Sequence, residues 1–405
     1  MNTARRVRRS RPRAAPAARA SAKRSIPYAR QSVGAEDIEA VVKVLRSDWL
    51  TTGPQVEAFE HAVAQFTGSS RAVAVANGTA ALHAAAYASG VGPGDEVIVP
   101  AMTFAATANA VVFQGGTPVF ADVDPATLLL DPEQAEAKIT PRTKAIVAVD
   151  YTGQPCDYDA LRAIAERHDL VLIADSAHAL GGEYKGRRVG TLADLTTLSF
   201  HPVKQITTGE GGMVTTSNER FADAMVRFRN HGIASDHRSR AEEGTWYYEM
   251  LDLGYNYRIT DFQCALGLSQ LKKLPRWLDR RRAIARRYGK AFEPLDSIEP
   301  LRVAPHVKHA YHLYVVRLAL ERLKADRSAV FSMLRDRGIG VNVHYIPVHL
   351  HPFYRKRFGT GPGLCPVAEA AYERILSLPM YGSLSEAQAD RVIEAVEEVL
   401  QALAA

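Results

Sequence analysis

Cysteine is scarce in this chain, with only Cys156, Cys264 and Cys365 among 405 residues. The three lie far apart, and no CxxC pair or zinc-type histidine spacing accompanies them. An odd, sparse set argues against a disulfide framework and suits a reducing cytoplasm. Cys156 follows a proline in the segment GQPCD, so a reactive loop thiol and an inert small side chain are both open interpretations.

Long hydrophobic runs are also missing. The longest apolar stretches, such as EVIVP and KAIVAV, are too short to cross a bilayer and contain charge or proline. The overall composition is that of a soluble globular protein. The length allows one large domain and a smaller one. We therefore expect a cytoplasmic protein without a membrane span.

Acidic residues are absent from residues 1–25, which hold nine lysines or arginines. The rest of the chain carries 41 basic and 44 acidic side chains, a net charge of −3, although the whole sequence has +6. The tail has too little apolar content to fold alone and lacks the apolar stretch of a secretory signal. A disordered extension is predicted, with an organellar transit peptide or a nucleic-acid tether as alternatives.

From about residue 34, helical segments alternate with short strands rich in β-branched residues. The candidate strands are RAVAVAN, DEVIVP, TPVFADV, KAIVAVDY, LVLIADS, LTTLSF and GMVTTS. Amphipathic stretches such as YDALRAIAERHD separate most of them. This alternation predicts an α/β fold with a mostly parallel, seven-stranded sheet covered by helices.

After residue 219 the pattern changes. Residues 235–258 read as a polar, aromatic loop, and the next stretch reads as two helices hinged at Pro275. A smaller unit follows, with strands YHLYVVRL and VNVHY, the helix DRSAVFSMLRDRG and a closing helix near 385–402. The predicted division is a basic tail at 1–25, a large α/β domain at 26–270, and a hinge helix with a small α+β domain at 271–405.

Three candidate sites occur where strands of the predicted sheet end. In the first, Asn77-Gly78-Thr79 joins a strand to a helix. Gly78 permits close backbone approach, and the helix N-terminus presents free N–H groups to an anion. Thr79 adds a hydroxyl group. A phosphate site is one interpretation, and ordinary turn and cap chemistry is the other.

The second and third sites carry charge. Asp175 ends an apolar strand, where a carboxylate is costly without a positive partner such as a protonated pyridine nitrogen. His178 follows within reach of the same pocket. Lys204 lies in the loop SFHPVKQITTGEGG after Ser199, and a desolvated lysine suits imine formation. Taken singly, Asp175 also suits a helix cap, and Lys204 an ordinary solvated side chain.

A phosphate turn, a strand-end aspartate and a loop lysine, in this order, are the layout of fold-type I pyridoxal-phosphate enzymes. The segments NGTAAL, VPAMTFAATANAV, IADSAHALGG, SFHPVKQITTGEGG and LGYNYRITDFQCALGLSQL resemble the DegT family of sugar-nucleotide aminotransferases. The resemblance covers the chain from about residue 26 to its C-terminus. It implies a pyridoxal 5'-phosphate enzyme that transfers an amino group to a keto-sugar nucleotide.

The resemblance also implies residue roles. Lys204 would bear the cofactor and shuttle the proton, Asp175 would pair with the pyridine nitrogen, and His178 would bond the phenolic oxygen. Phe104 would stack on the ring, unless it is plain core. The phosphate contacts would be Gly78, Thr79, Ser199 and Asn256. Asn256 matches a residue that reaches the neighbouring subunit's site, which implies a homodimer with shared active sites, although a turn residue is its alternative.

Several segments look most like the transaminase of pseudaminic acid biosynthesis. They imply L-glutamate as donor and a UDP-linked 4-keto-6-deoxy-N-acetyl-hexosamine as acceptor. The implied substrate contacts are Trp49, Thr52, Arg258, His344 and Tyr345. A dTDP- or GDP-linked 3- or 4-keto sugar is an alternative acceptor.

Two interpretations from other classes stay open beside this one. His344, His349 and His351 could suggest a metal site, but Pro347 and Pro352 break any helical ligand spacing, so no metal is predicted. The basic tail could serve a nucleic-acid-binding regulator with an idle enzyme body. An idle site has no need of Lys204, Asp175 and Ser199 together, so nucleic-acid binding is not expected.

Overall fold

The computed structural model describes residues 25–234, 240 and 244–405. The basic tail, apart from its last residue, and part of the predicted loop 235–258 lie outside the described residues. In the described part of the chain, no helix has the length and apolar character needed to cross a membrane.

Seven strands form the central sheet, and each coincides with one of the predicted segments. They are β1 Arg71–Val75, β2 Glu96–Pro100, β3 Thr117–Ala121, β4 Thr143–Val149, β5 Val171–Asp175, β8 Leu195–Ser199 and β9 Gly212–Thr216, in the order β1-β9-β8-β5-β4-β2-β3. Only β9 among these described strands runs against its neighbours; the other paired strands are parallel. The predicted mostly parallel α/β sheet is confirmed.

Helices cover both faces of this sheet. Along β1, Val73 and Val75 join one hydrophobic core while Ala72 and Ala74 join another, as alternation along a strand requires. The described helices are Ala35–Leu45, Pro54–Thr67, Gly78–Ala88, Ala105–Phe113, Pro132–Glu136, Tyr158–Arg167, Glu219–Phe228, Asp261–Phe292, Arg327–Asp336, Pro352–Phe358, Pro366–Arg374 and Glu386–Ala402. Two cores on opposite faces hold the strand ends of the candidate site in fixed positions.

A smaller antiparallel sheet follows in the C-terminal part, formed by β10 Ile298–Pro300, β12 Tyr314–Leu318 and β13 Ile375–Leu378. The predicted strand VNVHY is wrong, because only Asn342 within it forms a single bridge, to Ser377. The sequence analysis missed β13, the segment ILSL. A third small sheet joins β6 Glu183–Tyr184, β7 Arg187–Arg188 and β11 Val307–Lys308.

A long helix, Asp261–Phe292, connects the two main sheets, and Pro275 lies inside it. The prediction of two helices hinged at this proline is therefore wrong. Leu271 and Leu274 bury on one side of Pro275 in the core beside the large sheet, and Tyr288 buries further along in the core of the small sheet. Because residues on both sides of Pro275 are buried, their packing compensates for the one backbone hydrogen bond that the proline removes, and the helix continues past it. The predicted domain limits stay a prediction.

Candidate active site

The candidate site lies at one edge of the central sheet. The strands β1, β5 and β8 are parallel to one another, so their carboxyl ends meet there. The antiparallel strand β9 begins at the same edge with Gly212, which pairs with Val75 on one side and with Ser199 on the other. The topology thus brings together the three segments that the sequence places far apart.

The turn Asn77-Gly78-Thr79 forms the first part of the site. The helix begins at Gly78, and the Asn77 side chain accepts a hydrogen bond of 2.8 Å from the Ala80 amide. A Cβ on Gly78 would stand 3.0 Å from the Ser199 Cβ, so the turn lies directly against the end of β8. Thr79 is exposed beside it. A helix N-terminus flanked by two hydroxyl groups suits a phosphate group.

Asp175 forms the second part, at the end of β5. Only 6% of its surface is exposed, and its carboxylate accepts hydrogen bonds from Thr107 Oγ1 (2.7 Å) and the Ala177 amide (3.2 Å). Burial raises the pKa of this carboxyl group, while the two hydrogen bonds and the charge of Lys204 oppose the rise. Among the described residues, Asp175 has no ion-pair partner within 4 Å. A cationic ligand group would therefore stabilise its ionised form.

Lys204 forms the third part, in the loop between β8 and β9. Burial lowers the pKa of its ammonium group to about 8, and the charge of Asp175 works in the opposite direction. The neutral amine is therefore far more populated near neutral pH than for an ordinary lysine. The neutral amine is the form that attacks a carbonyl carbon and accepts a proton.

Two aromatic side chains and two histidines enclose the same pocket. Tyr345 Oη lies 3.1 Å from His178 Nε2, and the Phe104 ring centroid lies 5.8 Å from that of Tyr345. Burial lowers the pKa of His178 well below its usual value and that of His344 to about 4, and the charge of Lys204 adds to both shifts. Both imidazoles are therefore neutral near pH 7. Phe104 is 59% exposed, so its ring is open to a ligand, and the alternative of a plain core residue is wrong.

The described contacts of four predicted residues are with other parts of the chain. Arg258 Nη1 donates to Asn230 Oδ1 at 2.8 Å, and the exposed Asn256 pairs with Asn230 through its backbone. Trp49 and Thr52 flank Thr51, which bridges to Thr260. None of the described contacts joins these four residues to Lys204, Asp175 or His178. The carbonyl of Tyr257, between Asn256 and Arg258, accepts a hydrogen bond of 2.8 Å from the Ala76 amide, which places this segment beside the Asn77 turn.

The structure adds residues that the sequence analysis missed. Thr107 lies one helical turn after Phe104, so the spacing in the quoted segment TFAAT was a usable signal for it. The His312 ring centroid lies 4.4 Å from that of His178, and the Tyr151 hydroxyl donates to the His344 carbonyl. These last two contacts join distant parts of the chain, and no local pattern encodes them.

Cys156 and His349, two residues considered above for a chemical role, are both buried. Cys156 is fully buried, and burial raises the pKa of its thiol well above the usual range, so the reactive-thiol interpretation is wrong. His349, one of the three histidines considered for a metal, bonds Glu369 at 2.8 Å. Within the described ranges, no group of three histidine, cysteine, aspartate or glutamate side chains is arranged to hold a metal ion.

These groups fit pyridoxal phosphate. The turn at Gly78 with Ser199 suits the phosphate, the buried Asp175, which has no ion-pair partner in the described part of the chain, suits a protonated ring nitrogen, and Lys204 suits a bond to an aldehyde. His178 Nδ1 is buried and has no hydrogen-bond partner among the described residues, so the pocket has unused polar capacity. The fold and these side chains define a fold-type I enzyme of the pyridoxal-phosphate class.

Comparisons with known proteins agree with this class. The model of the DegT/DnrJ/EryC1/StrS aminotransferase family matches residues 31–397. The spore coat polysaccharide biosynthesis protein SpsC of Bacillus subtilis is 44% identical over 378 residues, which are 93% of this chain and 97% of that protein. The chain belongs to the DegT/DnrJ/EryC1/StrS aminotransferase family.

Two solved structures show the same fold. A putative sugar aminotransferase of Streptococcus pneumoniae, solved in its PMP form, has a TM-score of 0.88 and 34% identity, covering 93% of this chain and 99% of that one. PseC of Helicobacter pylori, an aminotransferase of pseudoaminic acid biosynthesis, has a TM-score of 0.88 and 32% identity, covering 94% and 100%. Aminotransferases of this family use pyridoxal phosphate, so the predicted cofactor is confirmed at family level.

Proposed function

We propose that this protein transfers an amino group from L-glutamate to the 4-keto group of a UDP-linked 4-keto-6-deoxy-N-acetyl-hexosamine, as a cytoplasmic homodimer. The observation that carries the reaction is the meeting of Lys204, Asp175 and the Gly78–Ser199 contact at one sheet edge. Each group alone has an ordinary structural explanation. Their convergence supports aminotransfer by this chain.

When bound, the cofactor supplies an electron sink for negative charge on the amino-bearing carbon. Asp175 would hold the ring nitrogen and keep it protonated. Lys204 Nζ would take the proton from the amino-bearing carbon of the donor. In the second half of the reaction it would deliver a proton to the sugar carbon that receives the amino group. His178 would orient the phenolic oxygen, and Phe104 would stack on the ring. Gly78, Thr79 and Ser199 would bind the phosphate.

Two residues beside Lys204 support the assignment of the sugar pocket. His344 and Tyr345 support it, because both border the Lys204 pocket. The fold likeness to PseC supports a pseudaminic-type acceptor, since that enzyme belongs to pseudoaminic acid biosynthesis. We assign Trp49, Thr52 and Arg258 to the substrate as well.

A second candidate keeps the reaction and changes the sugar. SpsC is 44% identical to this chain whereas PseC is 32% identical, and SpsC belongs to spore coat polysaccharide biosynthesis. The sequence likeness therefore favours a polysaccharide precursor as strongly as the fold likeness favours a pseudaminic acid precursor. A dTDP- or GDP-linked keto-hexose is the alternative acceptor.

The homodimer is supported by an exposed apolar segment just before Asn256. Trp246 is 85% exposed and Leu253 69% exposed, and Met250 and Leu251 between them are also exposed. Large apolar side chains concentrated in one exposed segment mark an interaction surface. A second copy of the chain on this surface would bring Asn256 and Arg258 to the partner's site.

The visible spectrum of the cofactor-loaded protein tests the function. The bound-cofactor colour should bleach on addition of L-glutamate and return only with UDP-4-keto-6-deoxy-HexNAc. Return of the colour with a dTDP- or GDP-linked keto sugar would move the assignment to the second candidate. Absence of any bound-cofactor band would contradict the aminotransferase function itself.

A regulator that binds nucleic acid through residues 1–25 is the alternative from another class. Binding of duplex DNA at two salt concentrations tests it, because binding through a basic tail falls steeply with salt. We expect no DNA binding at physiological salt. We also expect that removal of residues 1–24 leaves unchanged the bleaching of the cofactor colour by L-glutamate and its return with the keto sugar.

A further inference from the structure

A second carboxyl group, that of Asp150, is buried beside Asp175, and the proposed reaction gives it no role. Asp150 follows Val149, the last residue of β4, and Val149 pairs with Asp175 in the central sheet. The Asp150 amide donates a hydrogen bond of 3.0 Å to the Asp175 carbonyl. The two aspartates therefore lie at the ends of neighbouring parallel strands, at the edge where the candidate site is.

The Asp150 side chain is fully buried and accepts three hydrogen bonds. Its Oδ1 atom accepts from the Tyr158 hydroxyl (2.8 Å) and the Cys156 amide (3.0 Å), and its Oδ2 atom accepts from Ser176 Oγ (2.6 Å). No arginine, lysine or histidine within the described ranges forms an ion pair with it. Burial of a carboxyl group without a cation beside it is costly, so the hydrogen bonds alone hold Asp150 in place.

Ser176 connects Asp150 to Asp175, because it is the next residue after Asp175 in the chain. Asp150 therefore holds the backbone around Asp175 at two points. Its amide donates to the Asp175 carbonyl, and its carboxylate accepts from the Ser176 side chain. The Ser176 amide is held as well, by the Thr197 carbonyl of β8 at 2.9 Å. A functional side chain keeps a fixed direction only where its surroundings are held in this way.

Charge links the two aspartates as well. Burial raises the pKa of Asp150 to about 7, its three hydrogen bonds oppose the rise, and the negative charge of Asp175 adds to it. A cation bound at Asp175 would offset this repulsion and favour the ionised form of Asp150. Two buried carboxylates stabilise a nearby cation more than one does, because the attraction between opposite charges is strong where water is excluded.

We propose that Asp150 is a positioning residue for the cofactor: it orients the Asp175 carboxylate toward the protonated ring nitrogen and adds a second negative charge near it. The inference rests on the proposed aminotransferase function and adds the residue that supports the partner of the ring nitrogen. Asp150 acts through Ser176 and the backbone of Asp175. Its effect should therefore concern the ring nitrogen, and the contacts of the phosphate and the aldehyde should not depend on it.

The test compares two ligands in the full chain: pyridoxal phosphate, and its carbocyclic analogue in which a C–H group replaces the ring nitrogen. Fluorescence titration of the cofactor-free protein gives the affinity for each. Asp150→Asn removes the charge and keeps the size and the Oδ1 acceptor of the side chain. We expect this variant to bind pyridoxal phosphate roughly 3- to 10-fold more weakly than wild type, as for weakening of one hydrogen bond, and to bind the analogue equally well.

Asp157→Asn is the matched control, since it neutralises an exposed carboxylate seven residues further along the chain. Asparagine keeps the helix cap that Asp157 provides, so this variant should bind both ligands as wild type does. Ser176→Ala tests the same connection without removing a charge, and it serves where Asp150→Asn does not fold. It too should weaken the binding of pyridoxal phosphate alone.

The analogue separates positioning of the ring nitrogen from a general structural role. Equal weakening of both ligands in folded Asp150→Asn and Ser176→Ala would show that Asp150 only stabilises the fold, and would overturn the inference. Unchanged affinity of both variants for pyridoxal phosphate would overturn it as well. Failure of wild type itself to react with L-glutamate would instead overturn the proposed function.

Discussion

Burial shifts the pKa values of Asp175 and Lys204 in opposite directions. The pKa of the carboxyl group rises and that of the ammonium group falls, so burial favours the neutral form of each side chain. The charge of each partner opposes the shift of the other. Small changes in this environment, such as arrival of a cationic ring, therefore change the protonation of both groups.

Removal of Lys204 should be the most damaging single change in the site. We expect Lys204→Ala to slow the reaction with L-glutamate by ~10²–10⁴-fold, because the group that carries the proton is lost. Stopped-flow absorbance of the cofactor measures this rate. Lys272→Ala removes an exposed lysine and should leave it unchanged. A Lys204→Ala protein with the wild-type rate would contradict the assigned role.

The lowered pKa of Lys204 predicts how cofactor loading depends on pH. Only the neutral amine attacks the cofactor aldehyde, so the loading rate of cofactor-free protein should rise with pH, with a midpoint at about 8. Absorbance after mixing with pyridoxal phosphate, between pH 6 and 10 in ~0.5 steps, measures the midpoint. A midpoint near 10.4, the ordinary lysine value, would show that burial does not control this amine.

At the scale of secondary-structure elements, strand order decides the geometry of the site. The strand β9 inserts between β1 and β8, and Gly212 at its start separates the Asn77 turn from Ser199 by a single strand. A Cβ on Gly212 would stand 2.3 Å from the Asn77 carbonyl oxygen. The Asn77-Gly78-Thr79 turn can approach Ser199 only because this residue is glycine.

Gly212→Ala should therefore weaken both stability and cofactor binding. We expect a loss of roughly 1–3 kcal/mol in the free energy of unfolding, because the turn must move away from the strand. Urea unfolding measures stability, and fluorescence titration measures cofactor affinity. Gly361→Ala is the control, since a Cβ at that position would have no neighbouring side chain or backbone atom within 4 Å. Equal stability of the two variants would contradict the packing argument.

The sequence predicted the elements of the large sheet more successfully than those of the C-terminal part. The strands of the large sheet are buried and rich in β-branched residues, so their apolar runs are visible locally. In the smaller unit, VNVHY has the composition of a strand, but only Asn342 pairs, whereas ILSL pairs along its length. Which of two similar segments joins a sheet depends on the partner that the fold supplies.

At the scale of the whole molecule, the proposal of shared active sites makes a quantitative prediction. Lys204→Ala and Asn256→Ala should each inactivate their own homodimer. If Asn256 completes the partner's site, an equal mixture should recover activity at about a quarter of its sites, because half of the dimers are hybrids with one native site each. Activity after mild unfolding and remixing measures this recovery, and sedimentation checks the mass. No recovery, with dimers re-formed, would contradict shared sites.

The sequence by itself determined the α/β class, the seven central strands, the order of the Asn77-Gly78-Thr79 turn, Asp175 and Lys204 along the chain, and the family resemblance that the comparisons confirm. These features are local, because hydrophobic periodicity and short motifs depend only on residues that are close together in the sequence. The tertiary structure alone decided which distant residues meet: His312 beside His178, Gly212 between Asn77 and Ser199, and Asp150 against Ser176. Such contacts depend on strand order and on the packing of the long helix, and neither is encoded in the spacing of residues along the chain.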